Sequence, residues 1–161
     1  MGFRFIFLPF LLCLGCFKYS FTGSLPSHIK NVAIPLFENN TSYTGVNQEL
    51  TNKTVDLFVL DNSLSVTSES QADIIISGTV ASIIQRPAIL SEGETVEEYH
   101  MVVNVRIKCE DIKNNKVLWE KTLSQFGVLA QGGGIEEQDT AIDDAVEKIT
   151  VDILNNTLGY W

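Results

Sequence analysis

Between residues 95 and 112 the chain alternates apolar and polar side chains almost without interruption. Tyr99, Met101, Val103, Val105, Ile107 and Cys109 fall on one side, and His100, Asn104, Arg106, Lys108 and Glu110 on the other. A repeat of two is the mark of a strand with one face in a core and one face turned outward. Such a strand needs neighbours on both edges and a layer over its apolar side, and the remaining sequence supplies both. Lys113-Asn114-Asn115-Lys116 reads as a hairpin connection to a strand from Val117 to Val128, with Trp119 as its bulky anchor. The parity of that strand stays open, because Lys121 falls in phase with Trp119 and Leu123. Upstream, 73–85 is rich in Ile, Thr and Val and apolar on both sides near its start, which suits the interior of a sheet.

The other segments complete a two-layer plan. Asn31 to Phe37 alternates and reads as a strand, with Pro35 pointing to a sheet edge or a strand end. Glu38 to Gly45 reads as a polar loop. Val46, Leu50, Leu57 and Phe58 follow helical spacing, and Leu64 to Thr67 is a further short strand. After Gln131-Gly132-Gly133-Gly134, the residues Ile142, Ala145, Val146, Ile149, Ile153, Leu154 and Leu158 trace one helical stripe. Glu136, Glu137 and Asp139 stand near its start, where the helix dipole favours negative charge. The expected fold is α+β: a mixed, mostly antiparallel sheet of about four to five strands, with two helices packed on one face.

The N-terminus has a different character. One positive charge, Arg4, precedes an apolar run from Phe5 to Leu14, which is a signal-peptide core and too short to span a bilayer. Leu12-Cys13-Leu14-Gly15-Cys16 is similar to a bacterial lipobox, in which the cysteine is acylated and becomes the new N-terminus. Cleavage before Cys16 would leave that residue lipidated and Cys109 as a lone thiol, with no disulfide to form. Cys109 shares the inward phase of its strand and reads as an inert buried thiol. Phe17 to Lys30, with Gly23 and Pro26, reads as a tether.

Charge narrows the possible partners. The formal net charge is −9, and it falls by one more when Arg4 leaves with the leader. An acidic chain gains nothing from counterion release, so nucleic acid is excluded as a partner. General attraction to an anionic bilayer is disfavoured for the same reason, and membrane attachment is expected through the lipid. One acyl chain anchors marginally, whereas the several chains of a bacterial lipoprotein hold firmly.

Catalytic or metal chemistry finds no foothold. His28 beside the tether and His100 on the outward strand face are the only histidines, and they read as plain surface residues without a second ligand at metal spacing. Gly132-Gly133-Gly134 lacks the Lys and Ser/Thr of a phosphate loop and leads into an acidic turn, so it reads as a flexible loop. Glu92, Glu94, Glu97 and Glu98 read as a solvated hairpin tip without calcium spacing. The one basic spot on the outward sheet face comprises Arg106 and Lys108, joined by Arg86, and is the candidate contact for an anionic ligand or partner. No cofactor and no enzymatic activity are expected.

Several of these segments together resemble the LptE-type lipopolysaccharide-assembly lipoproteins. The matching residues are Cys16 followed by Tyr19-Ser20-Phe21-Thr22-Gly23 and Leu25-Pro26-Ser27-His28-Ile29-Lys30. They continue in Val32-Ala33-Ile34-Pro35-Leu36-Phe37-Glu38-Asn39, Glu49-Leu50-Thr51, Ala72-Asp73, Ile76-Ser77-Gly78-Thr79-Val80 and the stretch Asp111 to Glu120. Phe17-Lys18 departs from the family, which commonly has Gly between Cys and Tyr. The resemblance implies an outer-membrane, periplasm-facing lipoprotein that assists assembly of the LptD β-barrel and delivery of lipopolysaccharide. It also implies residues 1–15 as signal peptide, 16–30 as lipidated tether and 31–161 as one LptE-like domain. Ile34 to Asn39 and Gly78-Thr79-Val80 are also similar to the periplasmic domain of CsgG-type secretion-channel lipoproteins, the alternative reading. No additional pair of ~10-residue alternating segments remains here for a barrel wall of that kind.

Overall fold

The structure, a computed structural model, describes residues 26–88 and 98–159. The expected signal peptide, Cys16, the tether as far as residue 25 and the acidic tip at Glu92, Glu94 and Glu97 lie outside those residues. In chain order the elements are β1 (Asn31–Ala33), β2 (Glu38–Asn39), α1 (Val46–Asp61), β3 (Ser65–Val66), β4 (Ile74–Pro87), β5 (Glu98–Asp111), β6 (Lys116–Ala130) and α2 (Ile135–Leu158). The strands form one sheet in the order β3-β1-β4-β5-β6, and β2 pairs with β4 beyond the end of β1. Long antiparallel ladders join β4 to β5 and β5 to β6, while the short pairings of β1, β2 and β3 are parallel. This is the mixed α+β fold that the patterning predicts, with six strands rather than four to five.

The extra strand comes from a stretch whose polar sequence reads as loop. Pro35 has no N–H to give a ladder, so the strand expected to run to Phe37 stops at Ala33 and pairing resumes at Glu38. Between the two, Phe37 turns inward and is 1% exposed. Helix α1 satisfies its backbone: Phe37 N–H donates to Thr51 Oγ1 at 3.0 Å, and Asn47 Nδ2 donates to the Phe37 carbonyl at 2.9 Å. The ring lies over Gly78 of β4, where a Cβ would stand 3.1 Å from the ring and 2.6 Å from Ile107. Burying this one side chain contributes about 1.5–3 kcal/mol, enough to hold the broken edge in place.

One face of the sheet builds the core. Ile74, Ile76 and Val80 of β4, Met101 to Cys109 in alternation on β5, and Trp119, Leu123 and Leu129 of β6 are all buried. They meet Val46, Leu50 and Phe58 of α1 and Ala141, Ile142, Ala145, Val146, Ile149 and Ile153 of α2 in a single cluster. A register shift between Val80 and Ser82 reverses the parity of β4, so that Ile83 lies opposite the inward Val103. Cys109 is fully buried, and burial followed by the nearby Glu110 and Asp111 carboxylates pushes its thiol up to about 12. A thiol held that firmly protonated is a packing residue.

The open question about β6 has a direct answer. Lys121 pairs with Ile107 and therefore points to the helix side. Its Nζ donates to Asn156 Oδ1 at 2.6 Å, and Gln125 Nε2 donates to Asp152 Oδ2 at 2.6 Å. These two polar side chains flank α2 instead of entering the core. The next inward position is Gly127, and a Cβ there would stand only 1.9 Å from the Ala141 carbonyl oxygen. Helix α2 thus rests on bare backbone at this point. Gly127→Ala should push the helix off the sheet and lower stability by about 1–3 kcal/mol, read as a lower urea midpoint with unchanged slope. A midpoint equal to that of the unmodified protein would show that the contact does not set the helix position.

Where α1 crosses α2, Lys53 Nζ lies 2.5 Å from Asp143 Oδ1 and 3.7 Å from Glu49 Oε1. The hydrogen bond to Asp143, then burial and the Asp143 charge, raise the Glu49 carboxyl from 4.5 to about 7. The same shared proton, followed by Lys53, lowers Asp143. Between pH 4.5 and about 7 the folded chain holds a proton on Glu49 that the unfolded chain releases. Stability contributed by this pair therefore falls as pH rises through that window. Glu49→Gln keeps the hydrogen bond and should flatten the decline in thermal midpoint over those pH values. An unchanged decline in the variant would assign the slope to other groups.

Candidate functional site

The second face of the sheet carries no helix among the described residues. Register places its side chains in rows across β4, β5 and β6. Ile84, Val102 and Phe126 form one row, Ser82, Asn104 and Ser124 the next, then Thr79, Arg106 and Thr122, and then Ser77, Lys108 and Glu120. An apolar half toward the free end of the β4–β5 pair thus grades into a polar half.

The polar half is hollowed. A groove of about 440 Å³ is lined by Pro35, Leu36, Glu38, Thr79, Arg106, Lys108 and Glu120, with Ser77 and Gly78 at its base. Its cause is the broken edge. Strand β1 pairs as far as Ile75 and β2 begins at Thr79, so no strand pairs with 76–78 of β4 from that side. The chain there steps outward instead, leaving Leu36 64% exposed while Phe37 points into the core.

Two of the three expected basic residues meet in this groove. Arg106 and Lys108 are two apart on β5, about 7 Å along the strand. Lys108 Nζ pairs with Glu110 Oε2 at 2.8 Å, and that hydrogen bond raises its pKa. Among the described residues no carboxylate lies within ion-pair distance of Arg106. Glu38 instead accepts a hydrogen bond from Thr79 Oγ1 at 3.1 Å. Arg86 does not join them: it is exposed on the same face but pairs with His100, six residues along β5, about 20 Å from Arg106. The expected three-residue basic spot is therefore a basic pair and a separate arginine, because the β4–β5 ladder is too long for one cluster.

Neither histidine is the plain surface residue that its sequence surroundings suggest. His100 is half-buried and stacks on Phe126, the ring centroids 4.0 Å apart and 18° from parallel. Lys148 of α2 reaches round the outer edge of β6 to the same residue, donating to the Phe126 carbonyl at 2.9 Å and lying 5.4 Å from its ring centroid. At the other end of the sheet, His28 Nε2 lies 2.7 Å from Oδ2 of Asp111, a carboxylate that is almost fully buried. Burial alone would raise Asp111, yet it is lowered, because the Asn114 N–H, His28 and the Asn114 side chain all bond the charged form. Asp73 likewise binds the N–H groups of Lys30 and Asn31, and Ile29 is buried in the core. Residues 28–30, which read as the end of a tether, are thus stitched to the domain. Partners more than forty residues away in sequence leave no local pattern to find.

The groove offers an extended contact surface with mixed charge. A family model described as lipopolysaccharide-assembly, LptE, matches residues 29–157. The chain belongs to the LptE family. That makes it a member of a non-enzymatic lipopolysaccharide-assembly family of the bacterial envelope. Solved structures share the fold at low identity. A protein of Xanthomonas campestris matches with a TM-score of 0.63 at 12% identity, covering 85% of this chain and 90% of that one. Uncharacterized lipoprotein B of Nitrosomonas europaea matches with a TM-score of 0.53 at 18% identity, covering 99% of this chain and 92% of that one. The PelC dodecamer of Paraburkholderia phytofirmans matches with a TM-score of 0.52 at 16% identity, covering 80% and 91%. No curated protein sequence matches the chain.

Proposed function

We propose that this LptE-family protein is held at the periplasmic side of the outer membrane by acyl chains on Cys16. There it assists assembly of an LptD-type β-barrel and supports delivery of lipopolysaccharide to the cell surface. In this reading residues 1–15 are the signal peptide and the domain is the working part. One observation carries the scaffold role: a sheet face without a covering layer among the described residues, long, mixed in polarity and grooved beside Arg106 and Lys108.

The groove chemistry favours a protein partner over a lone phosphorylated headgroup. Arg106 and Lys108 can bond phosphate or carboxylate oxygens, and Leu36 offers an apolar ledge. Glu38 and Glu120 stand in the same groove, however, and the chain carries a net charge of −9. A barrel wall that presents both signs of charge satisfies all four groups, whereas a dense anion meets two of them with repulsion. Arg86, beside His100 and Val128, offers a second contact farther along the same face.

Cys16→Ser should release the protein from membranes, and labelled palmitate should mark only the unsubstituted protein. Equal labelling of both would remove the lipid anchor from the proposal. Purification in mild detergent should recover a large β-barrel with the protein. Recovery as a homo-oligomeric ring without a barrel would favour the secretion-channel reading. Replacing Arg106 and Lys108 together by Glu should cut barrel recovery at least about tenfold, equivalent to about 1.4 kcal/mol of binding. The thermal midpoint should hardly move, since neither side chain is buried. Undiminished recovery would place the contact elsewhere.

A further inference from the structure

Helix α1 is gripped on two opposite sides. On one, Asn47 and Thr51 stand one turn apart and clasp the Phe37 backbone, and Thr51 Oγ1 donates onward to the Asn47 carbonyl at 2.7 Å. On the other, Glu49 and Lys53 face α2 from positions about 200° round the helix. There Lys53 stands among carboxylates: Glu49 on its own helix, Asp143 across the contact, and Glu147 near enough to act on it. Asp56 and Asp139 lie one turn from Lys53 and Asp143. The other elements packed on α1 add no charge there among the described residues. Strand β3 carries none, Glu38 of β2 bonds Thr79 in the groove, and Arg86 of β4 stands far along its strand.

We infer that this cluster is a proton-sensitive latch on α1 that sets, through Thr51 and Asn47, where Leu36 stands in the groove. While Glu49 and Asp143 share a proton, one ammonium group balances one negative charge and the two helices close on each other. When Glu49 loses that proton to solvent, two carboxylates face Lys53 with Glu147 nearby, and their repulsion falls on the α1–α2 contact. The hydrogen bond to Asp143, then burial, hold the Glu49 carboxyl at about 7, so the change falls at neutral pH. The three side chains are 30–45% exposed, so water screens the repulsion and α1 tilts on its Leu50 and Phe58 seat without leaving it. The tilt reaches the far side of the helix because Asn47 and Thr51 carry the Phe37 carbonyl and N–H with them. The Phe37 ring stays packed over Gly78, and its exposed neighbour Leu36 takes up the displacement. The latch deepens the scaffold reading by making the groove respond to pH, and it rests on that reading for what the groove binds.

The test is a pH titration of the isotope-labelled protein in detergent micelles, followed by nuclear magnetic resonance. The Glu49 carboxyl carbon and the amides of Leu36 and Phe37 should titrate together, with one midpoint at about 7. Glu49→Gln should remove the titration of both amides. Thr51→Val should leave the Glu49 titration in place and cut the Leu36 response several-fold; Asn47→Ala, outside the core, makes the same cut if the valine variant does not fold. Titration at Glu49 with no shift at Leu36, or a Leu36 shift that survives Glu49→Gln, would overturn the latch. Barrel recovery in detergent should be several-fold higher below that midpoint than above it, and equal on both sides in Glu49→Gln. Recovery that ignores pH while Leu36 titrates would overturn the latch as a control of binding. A barrel recovered at neither pH would sink the scaffold reading, whereas the amide titration would still support the latch.

Discussion

The structure depends on a sheet whose strands can bury only one side. With apolar residues at alternate positions of β5, the ladder has a dry face and a wet face, and any helix must choose the dry one. Both helices do. Their stripes converge on the same cluster, from Leu50 and Phe58 of α1 to Ile149 and Ile153 of α2. The chain has no third layer among the described residues, so the wet face of a fourteen-residue strand remains available along its whole length. A solvated second face is ordinary for an antiparallel sheet; what distinguishes this one is the groove beside Arg106 and Lys108.

The groove on that face follows from a defect at the sheet edge. Pro35 breaks the first strand, Phe37 takes the freed length of chain inward, and Leu36 is left on the outside. Gly78 is the complementary feature: its missing side chain admits the Phe37 ring. Helix α1 completes the arrangement by donating and accepting through Asn47 and Thr51, so the interruption costs no unpaired backbone at Phe37. Core packing and site geometry are therefore one device. A residue that weakens the seat of Phe37 would also move Leu36, without touching Arg106 or Lys108.

What could be read from the sequence were the features that repeat. The β5 alternation, the α2 stripe and the Asn114-Asn115 turn gave the right elements in the right order because each is written within a dozen or so residues. Two-residue strands carry no period, and β2 accordingly read as loop. The Lys121 phase was ambiguous for a related reason: a flanking polar position and a core position look alike until the helix edge is placed. Arg106 and Lys108 were found because they share one strand face. Arg86 was misplaced because sequence gives the face but not the distance along a paired ladder. His28 with Asp111 was invisible, since the two lie 83 positions apart.

The electrostatics tie these parts together. Carboxylates that hold the fold, Asp73 and Asp111, are kept in their charged form by backbone and side-chain donors. Most other acidic groups lie on exposed surface, while the cations among the described residues fall in separate places: a pair in the groove, Arg86 farther along that face, Lys30, Lys113 and Lys116 at the entry end, and Lys53, Lys121 and Lys148 beside the helices. Such a distribution suits the proposed role, in which the body stays off an anionic surface and keeps one broad side open to a partner. A uniformly basic protein would adhere to the membrane and hide its open face. The acidity helps keep the sheet's wet side off an anionic surface, and the proposed lipid on Cys16 would supply the attachment that charge does not.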